Sequence, residues 1–159
     1  YAEEYLDRAL VSQQLTLRMD TFPYEFELPR PPMATSGTLT ATAVTYALDP
    51  GSASTATPTT TTLSSSSYRV DRDDTPGRIR TVYNGTWPSH LTDPNAVTVT
   101  WWAGYGAAAS DVPQAIRHAI LMHVAHLYER RLAADSQPSN EVPFGVRALL
   151  DTCKWGSYA

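Results

Sequence analysis

Three histidines stand close together in a stretch whose apolar spacing predicts a long helix. His118, His123 and His126 all lie in this stretch, but only His123 and His126 are spaced so that two rings can converge on one side of a helix. A zinc site needs three or four ligands, and the stretch has neither a His-Glu-x-x-His pattern nor a cysteine pair. We therefore predict no metal site here, and we expect His123 to border the apolar face of the helix.

A group of carboxylates, Asp71, Asp73 and Asp74, is the next candidate for ion binding. An EF-hand loop that begins at Asp71 would need Gly at its sixth position, where this chain has Pro76. The sequence has no Gly-x-Ser-x-Gly nucleophile elbow, and its Gly-Tyr-Gly run at 104–106 is too short for a phosphate loop. These patterns predict a protein with no catalytic residue and no cofactor.

The adjacent Trp101 and Trp102 are the third group with functional potential. Val97, Val99 and Trp101 alternate with polar residues, which predicts a strand on which the two tryptophans point to opposite faces. One of them can belong to the core, and the other must meet a partner, a loop of its own chain, or water. A large exposed aromatic side chain is typical of an interface, and stacking on a sugar is the competing use.

Length and charge limit the class of protein. The chain has 159 residues, 42% of them apolar, and a net charge of −4 with an isoelectric point near 5.5, which indicates one domain that does not bind duplex DNA tightly. Cys153 is the sole cysteine, so no internal disulfide can form. No apolar run approaches the roughly 18 residues of a membrane span. Because Tyr1 begins in what reads as the interior of a helix, we expect further residues upstream.

The elements that must position these residues predict an α+β fold. Apolar spacing favours a helix at 1–9, a long helix at about 112–134 and a short one at about 144–153, which together would form a small bundle. The apolar stripe of the long helix consists of Ile116, Ala119, Ile120, Val124, Leu127 and Tyr128. Almost all threonines lie between residues 10 and 111, and a β-rich insertion is predicted there, at about 10–105. Within it, strands are expected at 15–19, 68–71, 78–82 and 97–102, with a change of phase near 38–48. Residues 49–67 are predicted to be a flexible loop, and residues 154–159 a tail.

Short motifs in the same order along nearly the whole chain resemble the head–tail adaptor proteins of tailed bacteriophages and gene transfer agents. They include Phe22-Pro23, Trp87-Pro88 and the Pro143-Phe144-Gly145 that precedes an Ala-Leu-Leu helix. Further matching stretches lie at 5–10, 27–32, 67–71, 76–79, 96–99, 103–106, 112–116 and 127–131. The loop at 49–67 looks longer than is usual in that family, and the first helix looks shorter.

The resemblance implies a structural connector rather than an enzyme. Its members form a ring, commonly of twelve copies, below the portal protein, extend the DNA channel, and receive a stopper or tail connector protein. It further implies a place in the neck of a virion assembled in the bacterial cytoplasm, passage of DNA without specific binding, and no membrane contact. The candidate subunit or partner contacts on this chain are Arg130, Arg131, Phe144, Trp102, Trp155 and Tyr158, although Phe144 is expected to fill its own core.

Two other functions compete with this interpretation. One is a carbohydrate-binding β module that uses Trp101 or Trp102 as a platform. The other is a small metallohydrolase built on the helix histidines. The first predicts a monomer with an exposed sugar-stacking ring, and the second predicts a stoichiometric metal ion.

Overall fold

A computed structural model describes residues 1–34, 42–48, 59–129 and 142–154. Three α-helices and seven β-strands are found in these ranges. The helices are α1 (Ala2–Leu6), α2 (Gln114–Glu129) and α3 (Phe144–Asp151), and a 3₁₀ turn at Ala109–Asp111 precedes α2. The strands are β1 (Gln13–Met19), β2 (Glu25–Glu27), β3 (Ala43–Leu48), β4 (Thr59–Thr62), β5 (Tyr68–Asp71), β6 (Arg78–Thr81) and β7 (Val97–Ala103).

The larger sheet has four antiparallel strands in the order β1-β7-β3-β4. Its central strand β7 alternates strictly, so that Val97, Val99, Trp101 and Ala103 are buried while the residues between them are half-buried. This is the alternation that the sequence predicts, and it places Trp101 in the core and Trp102 on the opposite face. On β1 the same alternation turns Leu15, Leu17 and Met19 toward the core.

The smaller sheet has three antiparallel strands in the order β2-β6-β5. Phe26, Ile79 and Tyr68, one from each strand, are buried in the same apolar cluster as Val44 and Trp101 of the larger sheet. The two sheets therefore share one core, in which most of the large buried side chains of the β region lie.

The helices have a second core of their own. All three helices contribute buried side chains to it: Leu6 from α1, Ile116 and Ala119 from α2, and Val146 and Leu150 from α3. Tyr5 links α1 to α3, because its hydroxyl donates a hydrogen bond of 2.7 Å to Asp151. That bond, together with the negative charge of the carboxylate, raises the pKa of Tyr5 above its usual value. None of the described helices is long and apolar enough to cross a membrane.

Several predicted boundaries are wrong. The first helix ends at Leu6 rather than residue 9, because Asp7 takes a left-handed conformation that closes it. Helix α2 begins at Gln114, and its predicted extension to residue 134 lies outside the described residues. Helix α3 ends at Asp151, two residues before the predicted end.

The predicted flexible loop at 49–67 is wrong in its second half. Residues 59–62 form strand β4, which pairs with β3, and Leu63 is buried in the core of the sheets. The first half, 49–58, lies outside the described residues, as do residues 35–41, on which part of the predicted phase change falls. The β-branched threonines of β4 tolerate extended backbone, so this segment can form an edge strand where β3 offers a partner.

Gly104 lies at the junction between the sheets and the helices, where the backbone leaves no room for a side chain. Its φ of +128° is one that side chains rarely adopt, and a Cβ there would lie 2.6 Å from the backbone nitrogen of Ser12. We expect Gly104→Ala to lower the free energy of unfolding by about 2–4 kcal/mol, measured by urea denaturation. In the control, Gly145→Ala, the new methyl group meets only the flexible end of Met122 at 3.3 Å, so the protein should stay as stable or gain slightly. Equal losses in both variants would contradict the expectation.

Candidate subunit interface

Helix α2 has one apolar face that is buried in the protein itself. Ile116 and Ala119 are fully buried, and Ile120 and His123 are half-buried beside them. These residues recur at intervals of three or four, so they lie on one side of the helix and pack against α1 and α3. The predicted apolar stripe is thus confirmed in its first two turns.

The second half of α2 carries a further apolar stripe that faces solvent. Leu121, Val124 and Tyr128 are spaced i, i+3, i+7 and expose 64%, 56% and 66% of their surface, and Leu127 between them exposes 57%. We call these four residues the α2 stripe. Val124, Leu127 and Tyr128 were predicted to continue the buried face, but α2 extends past the core formed by α1 and α3. A helix that is apolar on more than one side is typical of a helix with a further partner.

Phe144 lies at the start of α3 and exposes 86% of its surface. The expectation that it fills its own core is therefore wrong. Its neighbour Gly145 approaches the side chain of Met122, which is itself 46% exposed and lies on a side of α2 away from the α2 stripe. Among the candidate contacts, Phe144 is the described residue most accessible to another subunit.

An apolar cavity of about 340 Å³ opens where α1, α2 and α3 meet. Ile120 and Val124 line it from α2, and Val146 and Leu150 line it from α3. Val124 therefore belongs both to the cavity wall and to the α2 stripe, so that the accessible apolar surface is continuous from the helix junction along α2. A groove of this kind can accept an apolar side chain from a second molecule.

The other predicted contacts are not brought together with Phe144. Trp102 is half-buried on the outward face of β7, where it pairs with Gln14 of β1, and no ring contact joins it to Phe144 in the described part of the chain. Arg130, Arg131, Trp155 and Tyr158 lie outside the described residues, so their predicted contacts remain predictions.

The histidines of α2 are spread around the helix. His118 is exposed, whereas the ring of His123 lies 5.2 Å from that of Tyr1, and its buried Nδ1 has no hydrogen-bond partner in the described structure. In the described ranges, no three His, Cys, Asp or Glu side chains are grouped so that they could hold a metal ion. The geometry thus offers no support for the metallohydrolase alternative.

The aspartates at 71–74 have structural partners. Asp71 accepts hydrogen bonds from the backbone nitrogens of Asp73 and Asp74, which closes the turn between β5 and β6. Arg78 then makes ion pairs with Asp71 and Asp74, and with Glu25 at 3.1 Å. The carboxylates of Asp71 and Asp74 are therefore engaged by the turn and by Arg78.

The tryptophans give no support to a sugar platform. Trp101 is 1% exposed, and Trp87 is stacked face to face on Phe22, with 4.7 Å between ring centroids and 6° between planes. Of the two adjacent tryptophans, only Trp102 keeps part of its ring accessible.

Comparison with solved structures shows what this fold is similar to. A chain in the neck of an empty gene transfer agent particle, computed with C6 symmetry, matches with a TM-score of 0.69 at 24% identity, over 96% of this chain and 70% of that chain. A chain in the neck of a native particle, computed with C12 symmetry, matches with a TM-score of 0.66 at 25% identity, over 96% and 75%. A chain of the virion of a native gene transfer agent particle matches with a TM-score of 0.65 at 23% identity, over 96% of this chain and 70% of that chain.

The fold is therefore the fold of chains found in the neck of these particles. No protein-family model matches the chain, and no curated protein matches it in sequence. Because the solved structures cover nearly all of this chain, the likeness includes both the helices and the sheets, including the region of the α2 stripe.

Part of the exposed apolar surface of α2 was not predicted from the sequence. Leu121 falls outside the stripe that follows from Ile116, and its exposure beside Val124 and Tyr128 is recognised only when the helix is searched for a second i, i+3, i+7 series. Exposed Tyr24 and Tyr83 of the smaller sheet were also missed, because aromatic residues beside short strands ordinarily read as core.

Proposed function

We propose that this protein is a head–tail adaptor, a structural subunit that assembles as a ring in the neck of a phage-like particle. The ring lies below the portal protein, extends the DNA channel, and receives a stopper or tail connector protein on its other side. Its function depends on shape and self-association, and no reaction is catalysed. The observation that carries the proposal is the match of 96% of the chain to neck chains of gene transfer agents, together with a solvent-exposed apolar stripe on α2.

The symmetry of the similar structures supports a ring. The neck structures were computed with sixfold and twelvefold symmetry, and twelve copies of this chain would satisfy both. A ring needs a heterologous interface, in which one surface of each copy meets a different surface of the next and the series closes. In our proposal, the α2 stripe is one side of that interface, and Phe144, which lies apart from it, is a further exposed contact.

The exposed apolar residues suit this role energetically. Full burial of a Leu or Val side chain contributes about 1.5–3 kcal/mol, so covering a residue that is already nearly half buried contributes roughly 1 kcal/mol. Leu121, Val124 and Leu127 together supply a modest apolar centre to each interface. In a closed ring every copy makes two such contacts, so modest interfaces are reinforced by closure.

The charge of the chain suits a DNA conduit. A net charge of −4 per copy gives a ring wall that attracts the phosphate backbone weakly or repels it, which favours movement of DNA over retention. In our proposal DNA passes without sequence-specific contacts. The subunit is made in the bacterial cytoplasm, is incorporated into the virion, and has no membrane partner.

Assembly of the purified protein tests this function. We expect sedimentation velocity and negative-stain electron microscopy to show closed rings, either of the chain alone or after addition of portal rings from the same particle. The matched control is a ring preparation of an unrelated portal, on which no assembly is expected. A chain that stays monomeric alone and also fails to bind its own portal would contradict the proposal.

A further inference from the structure

The outward face of the smaller sheet has an uneven distribution of charge. Two cross-strand rows of three residues lie on it. The first row is Glu27, Arg78 and Asp71, and the second is Glu25, Arg80 and Arg69. The first row is balanced, because its central arginine lies between two carboxylates. The second row places Arg69 and Arg80 directly opposite one another, an arrangement of like charges that destabilises a sheet.

Arg78 removes the one carboxylate that could neutralise the second row. Its guanidinium donates a hydrogen bond of 3.1 Å to Glu25 and also pairs with Asp71 and Asp74. Neither Arg69 nor Arg80 makes an ion pair or a side-chain hydrogen bond among the described residues. Within the described ranges, two neighbouring guanidinium groups are thus left without an ion-pair partner, although carboxylates engaged by Arg78 lie beside them.

These arginines line an open cavity of about 410 Å³ whose rim is aromatic. Tyr24 and Tyr83 line the same cavity and expose 82% and 89% of their surface. Exposed tyrosines beside arginines are the residue types that dominate binding energy at protein interfaces. When covered, the rings would also exclude water from the guanidinium groups and strengthen their interaction with an anion.

We propose that Arg69 and Arg80, flanked by Tyr24 and Tyr83, bind an acidic segment of a different protein through its carboxylate side chains. A guanidinium group receives a carboxylate through two parallel hydrogen bonds, and two adjacent groups can hold two carboxylates of one segment. This surface lies on the smaller sheet and not on the α2 stripe. It goes beyond the proposed ring, because it requires a partner of opposite charge and no second copy of this chain.

The surrounding charges favour a polypeptide over DNA. Duplex DNA carries a charge about every 1.7 Å along its axis, so it would extend past the arginines and meet the carboxylates of the same face. Glu27, Asp71 and Asp73 are exposed there. A short acidic segment presents separate carboxylates and can place them on Arg69 and Arg80 alone.

Nuclear magnetic resonance of the arginine side chains tests this inference on the full chain. With labelled arginine, addition of hexaglutamate should shift the Nε–Hε signals of Arg69 and Arg80 saturably, whereas hexaglutamine should not. The double variant R69Q/R80Q should bind hexaglutamate at least tenfold more weakly. The control R18Q/R117Q removes two exposed arginines from β1 and α2 and should change the affinity less than twofold.

Each other result overturns the inference. Equal losses of hexaglutamate affinity in the two double variants would show that only net charge matters. Failure of the unmodified protein to bind hexaglutamate would show that the surface does not accept carboxylates. Tighter binding of a twelve-base-pair duplex, lost in R69Q/R80Q, would assign the surface to DNA. Self-association lost in R69Q/R80Q would assign it to a second copy. Assembly of rings by R69Q/R80Q would leave the proposed function intact in every case.

Discussion

Replacement of Trp101 by alanine is expected to lower the free energy of unfolding by about 3–5 kcal/mol. Trp101 lies at the centre of the core that the two sheets share and is 1% exposed, so its removal leaves a large cavity between them. A loss of this size is a large part of the stability of a small domain. Urea denaturation followed by circular dichroism measures it directly.

Trp102 provides the matched control for this prediction. It is the neighbouring residue on the same strand, has the same side chain, and points to the other face, where it is half-buried. We expect Trp102→Ala to cost less, roughly 1–2 kcal/mol, because part of its apolar surface is already in water. Equal costs for the two substitutions would mean that the register of β7 is not the one described.

The double substitution of Leu121 and Val124 by lysine is expected to abolish ring assembly while leaving the folded subunit intact. Both side chains are more than half exposed, so the lysines can reach water in the free subunit, and lysine is a good helix former. In the ring the same two charges would be buried in an apolar interface, which costs several kcal/mol per copy. Native mass spectrometry or sedimentation velocity measures the loss of rings, and thermal unfolding measures the stability of the subunit.

The control for this experiment adds two charges away from α2. Thr86→Lys with Ser89→Lys places them at exposed positions of the connection between β6 and β7. Rings should form normally in this variant. If both double variants assemble, the α2 stripe is not part of the subunit interface, and if neither assembles, added charge alone prevents assembly.

The parts of the fold that follow from the sequence are those with a strong local period. Strands β1 and β7 alternate along their whole length, and each has one buried face, so period two identifies them. Helix α3 was predicted from its first residue because Pro143 suits a helix start. Strands β5 and β6 were located by the turn residues between them.

The parts of the fold that could not be predicted from the sequence depend on tertiary contacts. Strand β2 has three residues, of which only Phe26 is buried, so no period can be recognised. Strand β4 is a run of four threonines, identical in composition to a loop, and it is a strand because β3 offers an edge to pair with. The end of α2 shows the same limit, since Val124 and Leu127 have the spacing of core residues and yet expose more than half of their surface.

Which residues contact another subunit stays a prediction, and only their exposure can be compared with the sequence. The sequence indicated exposed aromatics as contact residues, and Phe144 is one of the most exposed large side chains described. Phe144 was expected to fill its own core, but as the first residue of α3 it points away from the core of the helices. Arg69 and Arg80 could not have been paired from the sequence, since they lie eleven positions apart and the β5–β6 register brings them together.

The position of this chain in an assembled particle tests the central claim most directly. Electron cryo-microscopy of purified particles that carry the chain should show a closed ring of it between the capsid and the tail, with twelve copies around the DNA channel. The α2 stripe of each copy should be covered by its neighbour. Particles whose neck density has no place for this chain, or the chain found as a single copy with ligand in a cleft, would contradict the claim.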